Sequence, residues 1–122
     1  LIPGSGGCSR LVRHVGLGRA KELVMLSRTV TADDAKAMGL CTTVTPAGEV
    51  LDGAMALAAE LAAFAPLALG MAKLVLNTAT DVDHETGRRL ERLGQSVLKT
   101  SEDHAEGAKA FLERRKPDWK GR

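Results

Sequence analysis

The chain has 122 residues, enough for one domain with a modest core and too few for two. Aromatic residues make up 2% of it, as Phe64, Phe111 and Trp119 with no tyrosine, too few for the stacking platforms that hold single-stranded nucleic acid; no nucleic-acid partner is expected. The 44% hydrophobic fraction is largely Ala, Leu, Val and Met, which argues against an all-β sandwich or barrel, and 17 basic against 15 acidic residues leave a formal charge of +2, so that any anion site must be local.

In chain order, Gly4-Ser5-Gly6-Gly7 reads as a flexible turn. Ser5 or Ser9 could then cap a helix carrying Leu11, Val12 and Val15 on one side, closed by Gly16 and Gly18. Arg19 to Ser27 keeps the helical spacing through Ala20, Leu23, Val24 and Leu26. Thr31-Ala32-Asp33-Asp34 has the form of a capping box that opens a short helix ending at Gly39. The β-branched run Thr42-Thr43-Val44-Thr45, stopped by Pro46, predicts one short strand near residues 41–45.

From Gly48 to Ala63 the apolar positions Val50, Leu51, Ala54, Met55, Leu57, Ala58, Leu61 and Ala62 form a stripe wide enough for a helix buried on most of its girth. Pro66 restarts the chain into a third long helix, Leu67 to Thr78, whose only charge is Lys73. Asp83 to Thr100 is amphipathic, with Leu90, Leu93, Val97 and Leu98 expected inward and Arg88, Arg89, Arg92 and Lys99 outward. Ser101-Glu102-Asp103 opens a last helix that runs to about Arg115 and stops before Pro117. Such a helical array has more apolar face than so short a chain can bury, and the excess is expected to pack on further sequence or on other subunits.

Residues 37–72 carry no Lys or Arg, whereas residues 83–122 carry ten, with eight Asp or Glu. The apolar stretch 50–72 is interrupted by Asp52, Glu60 and Pro66 and is mostly Ala, so no membrane span is expected. No basic segment followed by an apolar stretch opens the chain, so no signal peptide is expected; it begins at Leu1-Ile2-Pro3-Gly4 as if entered in mid-domain. Cys8 and Cys41 make no disulfide framework or metal-ligand spacing, which predicts a reduced, cytoplasmic protein without a metal site. His14, His84 and His104 lie far apart and read as surface residues rather than catalysts.

Two segments carry candidate chemistry. Backbone N–H groups in the turn at Gly4 to Gly7 could hold an anion, a water or a polarised carbonyl, although a tight turn for close packing explains the glycines as well. At the other end, Phe111 and Arg114 lie three residues apart, a spacing that on a helix sets an apolar ring beside a guanidinium and suits a nucleotide-bearing ligand with phosphates.

Together these ends resemble the enoyl-CoA hydratase/isomerase (crotonase) superfamily. Ile2-Pro3-Gly4-Ser5-Gly6-Gly7, Arg10-Leu11 and Gly16-Leu17-Gly18-Arg19-Ala20 resemble one family segment. Ala32-Asp33-Asp34-Ala35 with Gly39-Leu40, Val44 to Pro46, and Ala72-Lys73 resemble others, and Glu106-Gly107, Ala110-Phe111 and Glu113-Arg114-Arg115-Lys116-Pro117 resemble the closing motif. The resemblance covers essentially the whole chain in order and implies a C-terminal half. Residues 1–46 would be the end of the crotonase-type ββα core and residues 47–122 the helical trimerisation region, a mainly α chain with one short strand.

The resemblance implies an enzyme of acyl-CoA thioesters, in which two backbone N–H groups stabilise an enolate and, in hydratases, two glutamates add water to a 2-enoyl-CoA. Those glutamates and the oxyanion-hole residues would lie upstream of Leu1, so this chain alone is expected to be inactive. Gly4 matches the glycine whose N–H helps to hold the catalytic water or substrate atom. Phe111 and Arg114 match residues that contact the CoA nucleotide, and Arg114 keeps the charge of the commoner lysine. No separate cofactor is implied, since CoA is part of the substrate; the partners implied are the acyl-CoA and further copies in a trimer or hexamer. An isomerase or another thioester enzyme of the superfamily fits the same residues, and a non-catalytic helical oligomerisation module is the reading from a different class.

Overall fold

A computed structural model describes all 122 residues as six helices and no strand: α1 (Gly7–Met25), α2 (Ala32–Ala37), α3 (Val50–Ala62), α4 (Pro66–Ala79), α5 (His84–Leu98) and α6 (Glu102–Glu113). The architecture is thus mainly α, as the composition predicts. Two compact units divide the chain, Leu1–Gly53 and Ala54–Arg122.

In the first unit neither Ser5 nor Ser9 caps α1. Gly6 is the N-cap in a left-handed conformation, with φ of 81°, and no side chain caps it. Ser9 Oγ instead donates to Gly6 O at 3.1 Å, and Arg10 reaches back to the carbonyls of Ser5 and Gly6. Gly16 breaks the helical path with φ 79° and ψ 163°, as expected, whereas Gly18 lies inside the segment that follows. Val15 and Ala20, on either side of the break, are the buried residues of this helix.

Of the capping box expected at α2, the N-cap half forms, and the Asp34 carboxylate takes the Thr31 hydroxyl. Asp34 N–H donates to Thr31 Oγ1 at 3.1 Å, and Thr31 Oγ1 donates to the Asp34 carboxylate at 2.7 Å. The helix ends in a paired closure, with Leu40 N–H on Ala35 O at 2.8 Å and Gly39 N–H on Lys36 O at 3.0 Å. That closure requires the left-handed φ of 82° at Gly39.

The strand expected near residues 41–45 does not form. A β-branched run becomes a strand only when a neighbouring strand takes up its N–H and C=O groups, and these residues run between α2 and α3 with no partner strand. Thr45 uses its methyl group for packing instead: a Cβ on Gly53 would lie 2.8 Å from Thr45 Cγ2.

In the second unit Pro66 occupies the first turn of α4, where its missing N–H costs nothing. Asp83 caps α5 by accepting Thr86 N–H at 3.0 Å, and Ser101 caps α6 by accepting His104 N–H at 3.1 Å. The hydrogen bonds from Thr86 hold the Asp83 carboxyl below the usual carboxylate range.

Helices α4 and α5 pack at a close approach, since a Cβ on Gly94 would lie 2.8 Å from Met71 Cγ and 3.0 Å from its Sδ. The inward face of α5 therefore differs from the expectation in part. Gly87 and Gly94 are buried and Leu90 and Leu98 half-buried, while Leu93 and Val97 are exposed. The missing side chains of the two glycines, more than the leucine stripe, decide which side of α5 meets its neighbour.

The apolar core is small, consisting of Val15, Ala20 and Ala110. None of the α3 residues is buried, and Leu51 remains 72% exposed, so the wide stripe on that helix is not covered within the chain. A compact monomer of 12.9 kDa exposes about 6,300 Å², and two separate globules of half that mass about 7,600 Å² together, whereas this chain exposes 9662 Å². No single helix is long and apolar enough to cross a membrane, and α3 and α4 meet at a bend of 109°.

Candidate functional site

The polar chemistry of the second unit gathers on α6 and the residues that follow it. Asp103, only 3% exposed, faces back along the chain and accepts Lys120 N–H at 2.6 Å and Gly121 N–H at 3.0 Å. The free N–H groups of the first turn of α6 are used as well, with Glu102 N–H on Arg122 O at 2.8 Å and Asp103 N–H on the same oxygen at 3.3 Å. One turn on, Glu106 receives Arg115 through two parallel bonds of 2.6 and 2.9 Å, and its Oε1 also accepts Asp118 N–H at 2.8 Å. The Arg115 guanidinium, followed by the Asp118 N–H, draws the Glu106 carboxyl down from 4.5 to about 2. Arg115 is correspondingly raised by Glu106 and then by Glu113, which sits 2.6 Å from its Nε.

Trp119 completes this arrangement. Its ring lies over Gly107, where a Cβ would come within 3.2 Å of it, and its Nε1 donates to Ala63 O at 2.8 Å. Residues 115–122 therefore form a strap tied along α6 by hydrogen bonds to Asp103 and Glu106 and by the indole. Beneath it runs a largely apolar cleft of about 330 Å³, lined by Ala65, Leu67, Leu98, His104, Gly107 and Trp119 among others.

The expected ligand contacts lie at the end of the same helix. Phe111 is 82% exposed, and Arg114 is exposed as well. Arg114 is not a helical residue: it is the C-cap of α6 with φ 54° and ψ 37°. The three-residue spacing therefore does not place the pair on one helix face; the left-handed cap decides where the guanidinium goes. The ion pairs of this segment fall to Arg115, and Arg114 takes part in none of them.

In the first unit Gly4 lies in an exposed turn with open space where a Cβ would stand. The turn is built for close approach at Gly7, where a Cβ would fall 2.5 Å from Pro3 Cβ. The close-packing explanation thus holds at Gly7, while Gly4 is unobstructed toward solvent. The first carboxylate after this turn in the sequence is Glu22, which pairs with Arg28 at 3.2 Å. Cys8 and Cys41 are free thiols, both half-buried, and no group of three or more His, Cys, Asp or Glu residues could hold a metal ion.

The sequence pattern assigns Asp103 and Trp119 no site role, and Glu106 and Arg115 stand in it only within the closing motif. A weak signal was present in the Asp-x-x-Glu spacing of Asp103 and Glu106, which puts two acceptors on one side of α6 facing a basic tail.

The enoyl-CoA hydratase/isomerase family model matches residues 1–122, and the chain belongs to that family. Among curated relatives, the 2,3-dehydroadipyl-CoA hydratase of Escherichia coli is 39% identical over 122 residues, covering 100% of this chain and 48% of its own length. The mitochondrial methylglutaconyl-CoA hydratase of Mus musculus is 37% identical over 125 residues, covering 99% of this chain and 40% of its own. The crystal structure of enoyl-CoA hydratase from Bacillus anthracis superposes with a TM-score of 0.97 at 37% identity, over 100% of this chain and 47% of that one. The chain spans about half the length of the curated relatives it matches.

Proposed function

We propose that the chain is the C-terminal, CoA-contacting and oligomerising part of an enzyme that acts on acyl-CoA thioesters, with hydration of a 2-enoyl-CoA through an oxyanion-hole-stabilised enolate as its reaction. The observation that carries this reading is the family match over residues 1–122, with relatives named as CoA hydratases. Phe111 offers its ring to the ligand's nucleotide and Arg114 its unpaired charge to the phosphates. Gly4 offers a backbone N–H to the catalytic water or to a substrate atom. The reaction also needs two carboxylates that exchange protons with water and substrate. The two glutamates that the resemblance assigns to hydratases match no residue of this chain, which supports reading the chain by itself as without hydratase activity.

Titration with CoA tests the binding half of the proposal. The chain binds CoA, and Arg114→Ala weakens binding about tenfold, the ~1.4 kcal/mol of one charged contact; unchanged affinity removes Arg114 from the site. A crotonyl-CoA hydration assay tests the other half, because clear turnover by this chain alone would contradict the missing carboxylates. A second reading, a non-catalytic helical module that oligomerises through its Ala- and Leu-rich faces, is favoured by the uncovered apolar face of α3. It predicts self-association with no CoA affinity. An isomerase or other thioester reaction would share every contact proposed here and differ only in the carboxylates supplied from elsewhere.

A further inference from the structure

Two adjacent arginines at the end of α6 have opposite fates. Arg115 spends four of its five N–H donors inside the protein, on Glu106, Glu113 and the Lys116 carbonyl. Arg114 spends no side-chain donor in an ion pair and sits in a left-handed conformation that a residue with a Cβ rarely adopts. Something must hold it there, and the bonds on either side show what does. Arg115 N–H reaches back to Ala110 O at 3.1 Å and Arg114 N–H to Phe111 O at 3.2 Å, while the Arg115 side chain is clamped to Glu106. Farther along, Asp118 N–H is held by Glu106 and the Lys120 and Gly121 N–H groups by the buried Asp103. If the strap were loose, nothing after Arg114 would keep it from relaxing out of that conformation.

We propose that Glu106 and Asp103 are positioning residues for the CoA contact: by fastening residues 115–122 along α6 they hold Arg114 in its left-handed cap, with its guanidinium free for the ligand's phosphates near the exposed Phe111 ring. The inference rests on the reading of Arg114 as a CoA contact. It assigns the acidic pair a task that electrostatics alone would invert. Removing a negative charge beside an anion site should tighten anion binding by Coulomb attraction, whereas removing a clamp should loosen it.

The test uses the full chain and four proteins: wild type, Glu106→Gln, Arg114→Ala and the double variant. Brief trypsin treatment reads the clamp without any ligand. Cleavage after Arg114 and Arg115 rises in Glu106→Gln relative to wild type, whereas the Lys116–Pro117 bond resists trypsin in both, and unchanged protection overturns the clamp. Titration with CoA reads the positioning. Glu106→Gln weakens binding by up to the roughly tenfold lost in Arg114→Ala, since positioning cannot be worth more than the contact it serves, and in the Arg114→Ala background the same change has no further effect. Tighter binding in Glu106→Gln, or losses that add in the double variant, overturn the positioning role while leaving the CoA contact standing. Equal CoA affinity of wild type and Arg114→Ala removes the contact itself and the positioning role with it, and the trypsin result then still reports whether the clamp exists.

Discussion

Helix α3 and the α6 tail show two opposite ways for a helix to be stabilised. Helix α3 is apolar almost throughout, yet none of its residues is buried, and Leu51 stays 72% exposed. The tail of α6 is charged, yet Asp103 is buried and its acceptors, together with those of Glu106, are filled by N–H groups and a guanidinium from the same chain. The difference teaches where each kind of stabilisation can come from. Hydrogen bonds need only a partner of the right geometry, which a short strap can deliver. Hydrophobic burial needs area, and this chain does not contain enough protein to cover its own helices.

The largest expected loss on the tail side comes from Asp103→Ala. It leaves the Lys120 and Gly121 N–H groups without their acceptor and removes a charge-assisted pair of bonds, costing about 3 kcal/mol; the urea midpoint of the second unit checks it. On the packing side, Gly94→Val drives a side chain into Met71 and separates α5 from α4. The expected cost is about 2 kcal/mol, within the range for overpacked positions, and an unchanged urea midpoint would mean that the close approach of the two helices is not a constraint.

A third effect sharpens the electrostatic side. Because the Glu106 carboxyl is held from 4.5 down to about 2, its contribution is complete above pH 4.5 and is lost as pH falls from 4.5 toward 2. The fluorescence of Trp119, the only tryptophan, should shift over that window as the strap loosens. In Glu106→Gln that component of the shift is missing. The smallest effect is expected at α2, where Thr31→Ala removes one N-cap bond at a cost of about 1 kcal/mol, read as lost helical signal.

What the sequence makes legible follows the same division. The caps at Thr31, Asp83 and Ser101 depend on a side chain and an N–H three residues away; the pattern at Thr31 foretells its cap and the helix starts expected at Asp83 and Ser101 acquire theirs, whereas neither Ser5 nor Ser9 caps α1. The strand near residues 41–45 depends on a neighbour that the chain does not supply, so β-branched residues alone could not make it. On α5 the leucine stripe points to Leu93 and Val97 as inward, but the bare backbone at Gly94 admits Met71 and turns another side to α4. In the candidate site, Phe111 and Arg114 are visible as a motif, while the strap that follows Arg114 is tied by contacts between residues up to eighteen positions apart. No periodicity encodes such contacts.

Sedimentation velocity with a hydrophobic dye tests the bare apolar faces most directly. At neutral pH the chain should sediment as an assembly heavier than its 12.9 kDa protomer, or, where dilution keeps it apart, bind the dye strongly through α3 and its neighbours. A monodisperse 12.9 kDa species that leaves the dye dark would contradict the account, because it would show those faces to be covered within the chain itself.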